Sequence, residues 1–511
     1  MTRFGWSDYL IFFVYLTASA LVGLWFGREQ HSIRDYFLAG RSMKPLVVAV
    51  SVLAALFSGV TYLGAPSEVY ANGIAFLLIG LSFFVATPVA NLIFLPFFYR
   101  SGIYTAYQYL EERFSVQARM LSAGLFILRV LFWLSLATYA PALALEQVTG
   151  LPLWITILIT GVVTTVYTSF GGMKAVIWTD VMQFFVLFGG QIAILCLAVS
   201  QVSGGASGVY EISRAGGKLA LNTSLDPTVR VTLWGLVIGG AFYNLIQMAT
   251  DQVSVQRYLT ATSLRAAQRS LWIKLAFLLP VIAVFYVTGL ALYAFYQIHG
   301  DPLKAGQITK QDQILPYFVI TQLPAGMPGL LIAAIYAASM STISAGINAL
   351  TSITLIDFYQ RLRRNVASGD VHNLELARYL TIAYGVLVML LAFLVGKLGT
   401  LVEVGNGVIG LMGGPMVGLF LLGLLSRRAN ALGAVIGWIV GLVVLLPIYF
   451  ATKISFLWYA MIGCLVTMFV GWSLSLLSSA PAPSQVEGLT WTHSGAKDVP
   501  VGASSKVADP D

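Results

Sequence analysis

Thirteen stretches of this sequence run for about twenty residues or more with almost no charge, near 8–26, 46–71, 74–98, 119–145, 152–170, 181–200, 231–256, 273–296, 326–356, 377–398, 402–425, 431–450 and 455–478. Each can cross a hydrocarbon core of ~30 Å as a helix. Backbone in lipid must satisfy its own hydrogen bonds, which only helices and closed barrels do. A barrel is excluded, because the stretches are continuously apolar where barrel strands alternate. The fold class that follows is all-α integral membrane, with about 13 transmembrane helices. Composition agrees, since 10% of the residues are charged against roughly a quarter in soluble domains. The net charge of +8 does not point to nucleic acid, because the basic residues sit in short loops between the apolar runs.

An odd number of spans puts the termini on opposite sides. Loops on one side hold eighteen Lys and Arg, from Arg28 and Arg34 through Arg257 and Lys274 to Arg428, and loops on the other hold eight, Arg3 and Arg230 among them. The positive-inside rule therefore places the amino terminus outside and the carboxyl terminus in the cytoplasm, in a cell inner (plasma) membrane. Only Arg3 precedes the first run and the basic cluster follows it, so the run reads as a retained helix rather than a cleaved leader. The membrane domain takes residues 1–478. The tail 479–511, rich in Pro, Ala, Ser and Gly, is expected to be disordered. Cys196 and Cys464 lie within apolar runs and pack as small hydrophobes.

Two spans are not clean helices. The second contains Ser58-Gly59 and Gly64-Ala65-Pro66, and the seventh contains Gly239-Gly240 followed by Asn244, Gln247, Thr250 and Asp251. With the first run set aside, the next ten divide as five plus five, and the interrupted runs open each five. Discontinuous helices at matching positions of two inverted halves mark a transporter's midplane site. In the ninth span Ser341, Ser344 and Asn348 fall on one helical face with Thr342 beside it. Small hydroxyl residues also serve close helix packing. Clustered opposite a broken helix, they supply the neutral oxygens that suit a partly dehydrated sodium ion.

Five motifs, in order, carry a resemblance: Phe37-Leu38-Ala39-Gly40-Arg41-Ser42-Met43, Gly171 to Asp180, Asp251-Gln252-Val253-Ser254-Val255-Gln256-Arg257-Tyr258-Leu259, Ser341-Thr342-Ile343-Ser344 with Asn348, and Gly414-Pro415 with Phe420 to Leu424. The chain resembles the sodium:solute symporter family from Asp8 to about Ser478, and within it the iodide, multivitamin and monocarboxylate branch. The resemblance implies a LeuT-type 5+5 inverted repeat, core about 46–425, with one extra N-terminal and two extra C-terminal helices. It implies sodium as the coupling ion, held by the carbonyls of Ala54, Phe57 and Ala338 and the hydroxyls of Ser341 and Thr342. A second sodium site would use Asp180 with Ser341 and Ser344, and is incomplete because a further hydroxyl of the pattern falls on Ala345. Asp180 could instead complement a helix dipole. The substrate candidates implied are Ser58, Thr61, Tyr139, Asn244, Gln247 and Asn406.

Arg129 lies ten residues beyond Arg119, hence ~15 Å into its helix. A charge at that depth must face protein, water or a partner. It is either the counter-charge of an anionic substrate or one half of a structural pair. The function expected is sodium-coupled import of a small organic solute, a monocarboxylate or similar anion, by alternating access. The alternatives are a neutral solute such as proline or a sugar, or a symporter-like membrane sensor. A channel would show a continuous filter or charged rings. An enzyme is not expected, because His31, His299, His372 and His493 all lie in loops or tail and no catalytic or metal-spaced set appears. Sodium, a small solute and the bilayer are the partners implied, and the oligomeric state is left open.

Overall fold

In the computed structural model, which describes residues 5–324, 326–363, 370–395 and 401–491, every regular element is a helix apart from one bridge between Met43 and Ala261. The side chains of 147, 148, 370 and 401–406 lie outside the description, and Asn406 is among them. The main helices are α1 (Trp6–Gly27), α2 (Pro45–Leu56), α3 (Gly59–Asn72), α4 (Ile74–Arg100), α5 (Val116–Thr149), α6 (Leu153–Ser200), α7 (Gly240–Leu245), α8 (Gln252–Leu259), α9 (Leu264–His299), α10 (Met327–Ile353), α11 (Asp370–Val395), α12 (Leu401–Leu425), α13 (Ala431–Ala451) and α14 (Tyr459–Leu476).

Ten of the described helices are long and apolar enough to cross a membrane, or eleven with α2 and α3 taken as one bent span. At 48 residues, α6 holds about 72 Å of helical rise, enough for two passes. It bends at Gly172, whose φ of +55° suits glycine and where a β-carbon would lie 2.8 Å from the Tyr36 carbonyl oxygen. Residues 235–259 form one further interrupted helical stretch. Over its described residues each of the thirteen apolar stretches is largely helical, so the expected count is roughly met.

Burial sorts the helices. The membrane-crossing window of α10 is 94% buried, against 28% for α1, so the hydroxyl-bearing helix is the central post and α1 stands at the rim. α6 packs along α10, and α13 and α14 pair beside α12. Asp8 ties α1 to α10, accepting from the Gly329 amide at 2.8 Å at the start of α10, where helix amides lack intrahelical partners.

Two expectations change. Arg113, Arg119, Arg257 and Lys274, read as loop residues, are buried. The tail is placed as far as Trp491: Gln485 Nε2 donates to the Phe114 carbonyl at 2.9 Å and Tyr109 Oη to the Leu489 carbonyl at 3.0 Å. Backbone carbonyls here accept from polar side chains, so even a Pro/Ser-rich segment is held. Residues 492–511 lie outside the description.

Candidate functional site between two broken helices

The first break is local chemistry. α2 stops at Leu56, Phe57 takes φ −94° and ψ 80°, and Ser58 is extended with its Oγ accepting from the Thr61 amide at 3.3 Å. That is an N-cap, and it starts α3 at 62° to α2. Gly59 is needed at the bend, because a β-carbon there would lie 2.0 Å from Ser339 Oγ. Pro66 stays inside α3.

The second break falls at Asp251, at the far end of the polar stretch rather than at the glycine pair. Two π-helical turns, Gly235–Gly239 and Ile246–Thr250, flank α7, and Asp251 (φ −86°, ψ 119°) caps α8 by accepting from the Val253 amide at 2.9 Å. Gly239 and Gly240 instead allow close packing: β-carbons there would meet the Leu457 carbonyl oxygen at 2.3 Å and Ser82 at 3.1 Å.

Between the breaks lie two cavities. One, of about 130 Å³, is walled by Phe57, Phe76, Phe83, Trp133, Tyr243 and Tyr286, with Thr61, Asn244 and Gln247 as polar points. The other, of about 60 Å³, holds Arg129, Asp251, Ala55 and Thr342. Leu56, Trp133 and Gln247 line both, so these side chains form the waist between them.

Of the main ion-site candidates, Thr342 faces the first break. Its Oγ1 lies 3.2 Å from the Ala338 carbonyl oxygen and 3.4 Å from that of Ala55. Ala54 is one turn before the break, and its carbonyl accepts from the Phe57 amide at 3.2 Å. Ser341 donates its hydroxyl proton to Asp180 Oδ1 at 2.6 Å. Ser344 donates to the Ser341 carbonyl at 3.1 Å. Asp180 Oδ2 accepts from Ser51 Oγ at 2.5 Å and Arg257 Nη2 at 2.7 Å, and the Arg257 and Asp180 side chains are wholly buried. The dipole role weighed for Asp180 gives way to an ion pair with two hydroxyl donors.

The substrate candidates separate. Thr61, Asn244, Gln247 and Arg129 reach the cavities. Asn244 Nδ2 donates to Ser82 Oγ at 2.6 Å. Ser58 and Tyr139 are buried and line neither cavity. Arg129 Nη2 donates to Asp251 Oδ2 at 2.7 Å, so its charge is balanced within the protein.

Sequence reasoning passed over Ser51, Arg257, Asp251 and the Ala55 carbonyl. The clue was present for the two charged pairs: a carboxylate deep in a membrane protein needs a cation, and the motif that supplied Asp251 also contained Arg257. At the cavity's rim Glu68 accepts from Arg230 Nη1 and Nη2 at 2.7 and 2.9 Å.

Residues 36–441 match the model of the sodium:solute symporter family. The chain is 37% identical over 440 residues to the sodium-coupled monocarboxylate transporter 1 of Homo sapiens, covering 85% of this chain and 72% of that one. It is 34% identical over 448 residues to a sodium-dependent multivitamin transporter of Oryctolagus cuniculus, covering 86% and 70%. Among solved structures, the substrate-bound outward-open state of a Na+-coupled sialic acid symporter superposes with a TM-score of 0.86 at 32% identity, covering 94% of this chain and 99% of that one.

Proposed function

The chain belongs to the sodium:solute symporter family and is a multi-pass, sodium-coupled solute symporter, and from that premise we propose that its solute is a small organic anion of the monocarboxylate class. The cavity lining carries this reading. Its walls are aromatic, its neutral polar points are few, and Glu68, a carboxylate on its rim, is held by Arg230. Such a lining accommodates an apolar body with one polar head. The monocarboxylate transporter named above supports the same class.

The ion reading is one sodium at the first break, held by Thr342, Ser341 and the carbonyls of Ala54, Phe57 and Ala338, with Ala55 in reach. A second ion at Asp180 would have to share a carboxylate that already accepts from Ser341, Ser51 and Arg257. Ala345 offers no hydroxyl, and Ser344 is bonded to its own helix.

With the basic loops in the cytoplasm, the aromatic-walled cavity opens toward the outside through the Glu68–Arg230 rim. Sodium steadies α2, α3 and α10 in the state that admits solute, and both leave inward when the repeats rock about the waist. Thr61, Asn244 and Gln247 position the solute.

The energetics follow from charge. One sodium moving with one monoanion carries no net charge, so the ~2.3 kcal/mol that a 100 mV potential gives each cation cancels. A tenfold sodium gradient leaves about 1.4 kcal/mol, a tenfold accumulation. The test is uptake into proteoliposomes of labelled lactate, pantothenate, sialate, proline and galactose, with and without sodium. We expect sodium-dependent uptake of a carboxylate. Uptake confined to proline or galactose would transfer the assignment to the neutral-solute alternative.

A further inference from the structure

Five cations are buried among the described residues: Arg113, Arg119, Arg129, Arg257 and Lys274. Arg113 donates to the carbonyls of Gly423 and Ser426, and the other three arginines pair with carboxylates. Lys274 differs. Its side chain is wholly buried, and its Nζ has no hydrogen-bond partner among the described residues. What the ammonium meets is the Phe83 ring, 4.9 Å from Nζ to the centroid. A cation–π contact offsets only part of the desolvation of an ammonium, so an uncompensated one is costly to keep.

Its position gives the cost a use. Lys274 lies ten residues into the 36-residue α9, at the start of its apolar run 273–296. Leu278 and Ile282, one and two turns further along the same stripe, line the aromatic-walled cavity, and so does Phe83. The ring that covers the ammonium is therefore also cavity wall. An anion in that cavity is separated from an unpartnered amino group by one aromatic side chain.

We propose that Lys274 is the specificity-determining cation of the transporter: it pairs with the solute's carboxylate once the Phe83 ring turns aside, while Arg129 stays bound to Asp251. This rests on the carboxylate reading above. It explains how a cavity with an aromatic lining selects an anion, and why the buried arginines, each already partnered, need not be disturbed. Phe83 acts as a shutter that keeps the charge covered in the empty cavity.

The test compares Lys274→Met, which keeps length and removes charge, with Lys274→Arg. Lactate and pantothenate are measured against their uncharged counterparts lactamide and panthenol, as competitors of labelled acid uptake, alongside 22Na binding and melting temperature on the same purified proteins. We expect Lys274→Met to weaken both acids tenfold or more while leaving the amide, the alcohol and sodium binding within twofold, with a melting temperature equal to or above that of the parent. Lys274→Arg should keep acid affinity within a few-fold. A folded Lys274→Met protein with unchanged acid affinity overturns the proposal, as does equal loss for acids and neutral counterparts. If Lys274→Met does not fold, acid affinity unaltered in Phe83→Trp, whose larger ring holds the shutter closed, overturns it instead. A parent protein that takes up only neutral solutes defeats the carboxylate reading itself, and that is seen before any variant is made.

Discussion

Thr342 and Ser341 are neighbours in sequence with different work, and their variants should differ accordingly. Thr342 faces the broken helix, where its hydroxyl lies near the Ala338 and Ala55 carbonyls. Thr342→Ala should leave the protein folded and raise the sodium concentration for half-maximal uptake roughly tenfold, about 1.4 kcal/mol of lost ligation. Ser341→Ala also removes a donor from the buried Asp180 carboxylate, so it should lower the melting temperature as well, read in one unfolding scan. An unaltered sodium dependence in both variants places the ion elsewhere. The Arg129–Asp251 pair makes the complementary case. Arg129→Gln strands a largely buried carboxylate and should destabilise by ~3–5 kcal/mol, and adding Asp251→Asn should restore most of it. Additive losses in that double-mutant cycle would show that the pair is not coupled. Charged pairs of this kind were only half legible in the sequence: the depth of Arg129 demanded a partner, but which carboxylate answered depended on where a helix over a hundred residues away breaks.

Among the elements, the sequence marked the two interrupted helices but not the residue at which each breaks. Of the two candidates in the second span, Ser58-Gly59 is the break, a capping serine followed by glycine, and Gly64-Ala65-Pro66 stays helical. The Gly239-Gly240 pair carries the same local look and does the opposite job, letting α7 approach Ser82 and Leu457. Glycine alone does not tell a break from a close contact, whereas Asp251 as a helix cap marked the true break. Gly172 gives a sharp test of the bend in α6. With φ at +55° and the Tyr36 carbonyl 2.8 Å from a built β-carbon, Gly172→Ala should reduce folded yield and lower the melting temperature by several degrees. The conservative Gly124→Ala, where nothing lies within 4 Å, should be neutral. Equal behaviour of the two would refute the packing argument.

Across the whole molecule, the end of the bundle bearing the basic loops is tied by a charge network. Glu111, on the short helix Gln108–Arg113, accepts from Arg119 Nη1 at 2.8 Å and from Arg361 Nε at 2.7 Å, and Arg119 Nε reaches Asp357 Oδ1 at 2.6 Å. Burial works to raise the Glu111 pKa, but the hydrogen bonds and charges of Arg361 and Arg119 outweigh it and hold the carboxyl below the usual glutamate range. A folded-state pKa lowered in this way stabilises fully above the ordinary value of ~4.3 and is lost as pH falls through the folded value. The melting-temperature difference between the parent and Glu111→Gln should therefore be constant from about pH 6 to pH 8 and close below about pH 4. A difference that persists in acid would show that the side chain acts by packing alone. The helical membrane architecture and its approximate number of spans were legible because apolar length is a property of each segment. The waist at Leu56, Trp133 and Gln247 was not, since it exists only where three helices meet.

If one sodium ion and one organic anion cross together, as proposed, transport carries no net charge. Accumulation of the labelled carboxylate in proteoliposomes under an inward sodium gradient, repeated with the membrane potential clamped at zero and at about 100 mV inside negative, reads this out. Electroneutral coupling gives accumulation that follows the sodium gradient, a sodium Hill coefficient near one and no response to the potential, with collapse when a sodium ionophore is added. Accumulation without a sodium gradient would contradict the claim outright, and uptake that rises steeply with the potential, with a Hill coefficient near two, would place a second sodium beside Asp180.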